Sequence, residues 1–169
     1  RRLAAAGLGP IYGFEYWTLG KTGAAARRLG AYVDEVLATT GAAAVDVIGH
    51  SMGGVVGRYY VTLGDGDGKV ANLITIGAPH SGTDVSAIGL GAPTKELFLN
   101  STLIQRLDAA PRPRRTRLTV IWSRSDALVP GARHARIDGV DEVLYDDLGH
   151  LSLLTDGRVA SEVIARLGR

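Results

Sequence analysis

The chain has 169 residues, 46% of them hydrophobic and 21% charged, with 19 basic against 17 acidic side chains and no cysteine. A chain of this length buries roughly 70% of its unfolded surface, so one domain over residues 1–169 needs neither disulfides nor a structural metal. The missing thiols exclude a disulfide scaffold, a thiolate zinc site and a cysteine nucleophile, and no apolar run reaches the roughly 18–20 residues that cross a membrane.

Arg1-Arg2 and the short apolar stretch up to Leu8 are too brief for an export signal, and Glu15 and Trp17 stand where a cleavage site would be. The segment reads as the back end of an amphipathic helix. Residues 11–16, after Gly9-Pro10, are a short strand candidate. In residues 22–39 the apolar positions Leu29, Val33, Val36 and Leu37 recur with helical spacing up to Gly41. Residues 44–49 (AVDVIG) are short, β-branched and apolar, and predict a buried strand; residues 52–63 are helical again, and 64–68 a turn. Buried strands follow at 70–77 (VANLITIG) and 117–123 (RLTVIWS), a fifth strand at 141–147 and a terminal helix at 151–167. This alternation implies βαβ units in a mostly parallel sheet with helices on both faces. Residues 84–116 interrupt the rhythm, with 96–107 the helical part, and read as a cap or functional loop. Arg112, Arg114, Arg115 and Arg117 form the one dense basic cluster. Prolines interrupt it and no aromatic joins it, so it reads as a solvated loop, with weak scope for an anionic lipid surface and none of the features of a nucleic-acid reader.

Gly49-His50-Ser51-Met52-Gly53 fits G-x-S-x-G between an apolar strand and a helix, the setting of a nucleophile elbow. The turn strains the backbone at Ser51 and requires small neighbours, for which Gly49 and Gly53 serve and Gly54 adds room. His50 is expected to point away and bond locally. A serine hydroxyl needs a base to take its proton. His150, in a loop between the last strand and the last helix, is the expected base, with His80 and His134 as alternatives. Asp126, just past RLTVIWS, is the expected acid, against Asp84, Asp146 and Asp147. The order Ser51, Asp126, His150 is that of α/β-hydrolase triads.

These segments carry a resemblance. GHSMGGVVGRYYV, NLITIGAPHSGTD, NSTLIQRL, SRSDALVPGARHARIDG and DLGHLSLL are similar, in this order, to segments of bacterial triacylglycerol lipases and esterases of the α/β-hydrolase superfamily, the actinobacterial ones especially. The resemblance implies an α/β-hydrolase fold with a short cap at about 84–116, and a serine ester hydrolase with Ser51 as nucleophile, Asp126 as acid and His150 as base. It also implies the Met52 backbone N–H as one oxyanion donor, and an extracellular location, with the cytoplasm as the alternative. Such lipases begin with a strand ending in His-Gly whose loop gives the second donor. No His-Gly pair precedes the elbow here, so an N-terminally truncated fold is expected, and loss of one donor costs on the order of 10²–10³ in kcat. The expected partner is a lipid or ester substrate, with transient contact at a lipid interface; no nucleic acid, membrane span or cofactor is expected. Calcium has weak support from Asp65, Asp67, Asp146 and Asp147. The rival readings are an acyltransferase or deacylase with the same triad, and an impaired fragment or binding module.

Overall fold

Alternation along the strands sets the layers. The computed structural model describes residues 2–16, 20–83 and 95–167. Its elements are α1 (Arg2–Ala5), α2 (Thr22–Thr40), β1 (Val45–His50), α3 (Met52–Leu63), β2 (Val70–Ile76) and α4 (Thr102–Ala109). They continue with β3 (Arg117–Ser123), α5 (Ala132–Ala135), β4 (Asp141–Tyr145), α6 (Ser152–Thr155) and α7 (Gly157–Leu167). The strands form one parallel sheet in the order β1-β2-β3-β4.

Successive strand side chains point to opposite faces, so neighbouring apolar residues serve two cores. Leu73 joins Ala26, Leu29 and Val33 of α2 and Val56, Tyr60 and Val61 of α3 on one face. Its neighbours Ile74 and Ile76 join Ile121, Leu153, Val159 and Val163 on the other, beneath α6 and α7. β3 divides likewise, with Val120 and Trp122 packing against Val129 and Ala135. Each such side chain contributes about 1.5–3 kcal/mol when fully buried, which is why two-sided apolar strands sit in the middle layer.

The structure corrects several expected boundaries. Residues 11–16 form no strand, because they have no partner to pair with: a groove of about 840 Å³ lies between them and the outer edge of β1. Among the described residues β1 has no neighbour on that side, and Ile48 is exposed there. The fourth helix begins at Thr102, where the Ser101 hydroxyl accepts the Ile104 N–H, instead of at residue 96. The terminal helix is two, divided at Asp156, whose extended backbone ends α6 and whose carboxylate accepts the Arg158 N–H at 2.7 Å. The short helix α5 has no sequence signal. In the cap, residues 84–94, with the alternative acid Asp84, lie outside the described residues. Leu97, Leu103 and Leu107 pack on Val55 and Ala78, so they belong to the core. The arginine-rich loop is held by Asp67, whose carboxylate accepts the backbone N–H groups of Arg114, Arg115 and Thr116 at 2.8–2.9 Å.

Candidate active site

The turn after β1 carries the first group. Ser51 has φ 54° and ψ −126°, a region that L-residues avoid and that costs about 1–3 kcal/mol. Its N–H donates to the Ile76 carbonyl at 2.9 Å, while its own carbonyl accepts the Gly54 N–H at 3.0 Å, so the strand pairing ends and helix α3 begins at this one residue. That abruptness needs backbone contact. A Cβ on Gly49 would lie 2.6 Å from the Gly53 carbonyl oxygen, and one on Gly54 would lie 2.6 Å from the Ala78 Cβ. Gly53 differs from its expected role, since a Cβ there would meet only the Tyr16 hydroxyl at 3.7 Å; the close approach belongs to Gly49 and Gly54. The Ser51 hydroxyl does not cap its own helix. Met52 is the first helical residue, so its N–H has no intrahelical partner and sits at the positive end of α3.

The loops after β3 and β4 bring an acid and a base together. Asp126 Oδ2 accepts a hydrogen bond from His150 Nδ1 at 2.7 Å, with Asp126 2% and His150 9% exposed. Asp126 Oδ1 accepts the N–H groups of Leu128 and Val129 at 2.9 and 3.0 Å, which fixes the carboxylate plane. Burial pushes the Asp126 carboxyl up, but the hydrogen bonds from His150, Val129 and Leu128 outweigh it and hold it below its ordinary value. With Nδ1–H on the carboxylate, the free basic nitrogen of His150 is Nε2. The Ser123 hydroxyl accepts the N–H groups of Ser125 and Leu148, tying the two loops to one point. Gly77 gives the pair its room: its φ is 57°, and a Cβ there would lie 3.2 Å from Asp126 Oδ2 and 3.3 Å from His150 Nδ1.

His50 does not bond locally as expected. Its Nε2 reaches the backbone carbonyl of His150 at 3.1 Å, and the two ring centroids are 4.6 Å apart, so the turn after β1 touches the loop that carries His150 one residue from Ser51. The alternative bases lie elsewhere. His134 is buried with Nδ1 against the Gly82 carbonyl and Nε2 against Arg133, and His80 is wholly buried against Thr75. The competing acids are exposed ion pairs, Asp146 with Arg124 and Asp147 with Arg158. Asp65 pairs with Lys69 and Asp67 holds the arginine loop, so the four aspartates suggested for calcium do not converge. Among the described residues no group of three or more His, Cys, Asp or Glu is placed to hold a metal.

Residues 28–90, which include the elbow, match the PGAP1-like alpha/beta domain family. Over 54 residues the chain is 48% identical to triacylglycerol lipases of Pseudarthrobacter phenanthrenivorans and Burkholderia plantarii; the match covers 32% of this chain but only 16% and 14% of theirs. The fold is similar to that of the mature Bacillus licheniformis lipase BlEst2, with a TM-score of 0.70 at 14% identity over 84% of this chain and 72% of that one. It is also similar to the Paleococcus ferrophilus monoacylglycerol lipase, with a TM-score of 0.67 at 11% identity over 98% and 83%. This chain is an α/β-hydrolase by fold.

Two structural roles in this α/β-hydrolase fold have no local signal in the sequence. Arg58, 5% exposed in α3, pairs with Asp108 at 2.8 Å and donates to the carbonyls of His80 and Leu107, so one buried charge fastens α3, α4 and the loop after β2. A lone arginine in a helix gives no hint of this. The second is that of His80. The Thr75 hydroxyl donates to the Thr119 carbonyl, so His80 Nε2–H donates to Thr75 and Nδ1 is left without a partner among the described residues. Burial and the Arg58 charge push its pKa down to about 3. An unfolded histidine titrates near 6.5, so between those values the unfolded chain binds a proton that the folded one refuses. Stability is therefore full above the unfolded value and falls as pH drops, by up to about 1.4 kcal/mol per pH unit. Urea unfolding at pH 7 and pH 5 is expected to show this loss, and His80→Asn to flatten it by one proton.

Proposed function

We propose that the protein is a serine carboxylic-ester hydrolase acting on esters with apolar acyl groups. The observation that carries this reading is the buried Asp126–His150 hydrogen bond, on a loop that touches His50, the residue before a serine held at positive φ. His150 Nε2 takes the Ser51 proton and Ser51 Oγ attacks the ester carbonyl, whose oxyanion is stabilised by the Met52 N–H at the head of α3. Asp126 keeps the proton on Nδ1 and stabilises the imidazolium. The tetrahedral species collapses to an acyl-serine as His150 protonates the departing alcohol; a water deprotonated by His150 then attacks the acyl-serine, and the acid leaves as His150 returns the proton to Ser51 Oγ. The names of the relatives support the ester class. Leu128, Leu151 and Leu154 favour apolar acyl groups: they are 38%, 71% and 51% exposed, and Leu151 follows the base directly. Exposed leucines on and next to the loops that carry Asp126 and His150 offer apolar surface that a fatty chain would cover at a gain of about 0.8 kcal/mol per buried CH₂.

A series of p-nitrophenyl esters from butyrate to palmitate tests the substrate class. Lower KM with chain length through the medium acyl groups is the expected result, and Leu151→Ser with Leu154→Ser is expected to remove that trend. Turnover of acetate alone, indifferent to these leucines, would contradict the apolar-acyl reading.

A further inference from the structure

The residue before the elbow serine does more than shape the turn. His50 ends β1 and its ring lies across the base loop, with Nε2 3.1 Å from the carbonyl oxygen of His150 and the ring centroids 4.6 Å apart at 48°. Because a carbonyl only accepts, Nε2 carries the proton. The contact spans a hundred residues and joins the loop that presents the nucleophile to the loop that presents the base. Backbone position and ring position of His150 are thus set from different sides: Asp126 holds Nδ1, and His50 holds the carbonyl and one ring face.

We propose that His50 is a positioning residue for His150 that works only in its neutral form, so that a second proton, on His50, switches the site off at low pH. This deepens the ester-hydrolase reading and rests on it. When His150 takes the Ser51 proton, a positive ring forms against the His50 ring. A neutral His50 leaves that charge unopposed, whereas a protonated one places two cations in contact and raises the barrier. The groups that face His50 fit this role. On the loop side they are His150 and, beyond it, Asp126; on the open side Tyr12 and Tyr16 line the same groove. Burial and the His150 charge lower the His50 pKa, the carbonyl bond and Asp126 oppose this, and the net direction is down. Burial raises the Tyr16 phenol, which stays neutral. Protonation of His50 therefore adds a second proton-dependent loss of hydrolysis to the one that protonation of the base itself brings.

The test compares the parent with His50→Gln, which keeps an N–H donor, and His50→Leu, which keeps neither donor nor charge. For p-nitrophenyl butyrate, His50→Leu is expected to lower kcat about tenfold with KM unchanged, the worth of one hydrogen bond, and His50→Gln to recover most of it. In the parent the log of kcat/KM falls with a slope that steepens from one toward two as pH drops, while both variants keep a slope of one. A parent kcat in His50→Leu, or a kcat loss with the parent's acid limb intact, overturns the proposal. An arm that needs no turnover uses the long-range ¹H–¹⁵N spectrum of the histidine rings. In His150→Gln the His50 titration midpoint is expected to rise by about half a pH unit as the neighbouring charge disappears; an unmoved midpoint refutes the coupling even in a protein that hydrolyses no ester. Failure of the hydrolase reading shows separately, as a parent that turns over no ester while this spectroscopic coupling persists.

Discussion

Ser51→Ala is expected to lower kcat for p-nitrophenyl butyrate by about 10⁴–10⁶-fold, leaving the fold intact. The size follows from the chemistry: the acyl-enzyme path disappears, and what remains is binding plus the Met52 N–H. The fold survives because Ser51 Oγ supplies no cap to α3, so its removal strips no helix donor of a partner. Alanine keeps the positive φ and its strain. Ser51→Gly would release it and raise stability by about 1 kcal/mol, at the same loss of turnover. Stopped activity with an unchanged urea midpoint in Ser51→Ala, and a raised midpoint in Ser51→Gly, together separate a nucleophile from a structural turn.

Asp126→Asn is expected to cost about 10⁴ in kcat with KM little changed. The argument lies in which oxygen does what. Oδ1 accepts two backbone N–H groups, from Leu128 and Val129, and Oδ2 faces His150 Nδ1. An asparagine keeps its carbonyl oxygen on the two donors, since its NH₂ would face N–H groups there. Its NH₂ then points at His150 Nδ1 and can only donate, which forces the proton to Nε2 and removes the base from Ser51. Asp126 also contributes to stability through its lowered pKa, a contribution present above the unfolded carboxyl value and lost as pH falls through and below it. The asparagine variant therefore lacks that acid-limb dependence in urea unfolding, while keeping the one due to His80 at higher pH.

The strands of this α/β-hydrolase fold were legible in sequence wherever burial on both faces wrote a continuous apolar run, as in β2 and β3. The elbow was legible because strand, turn and helix each leave a local signature. Residues 11–16 misled for a physical reason: β-branched and aromatic residues mark a surface that can pair, but a strand exists only where a partner lies alongside, and the groove beside β1 leaves them none. The division between α6 and α7 turned on Asp156 capping forward, a choice that composition leaves open. In the candidate site, Ser51, Asp126 and His150 each follow the end of a strand, which a sequence can show. The contacts that tune those groups leave no such mark. The roles of Gly77, His50 and Arg58 depend on residues 22 to 100 positions away that only the folded sheet brings near.

In the proposed mechanism Ser51 is an activated nucleophile served by His150 and Asp126. Reaction with a fluorophosphonate probe, followed by mass spectrometry of the labelled peptide, tests it most directly, since phosphonylation requires an activated hydroxyl and no particular ester substrate. The expected result is a single adduct on the peptide containing Ser51, absent in Ser51→Ala and slowed by orders of magnitude in Asp126→Asn. An unlabelled parent, or labelling that persists in Ser51→Ala, would contradict it.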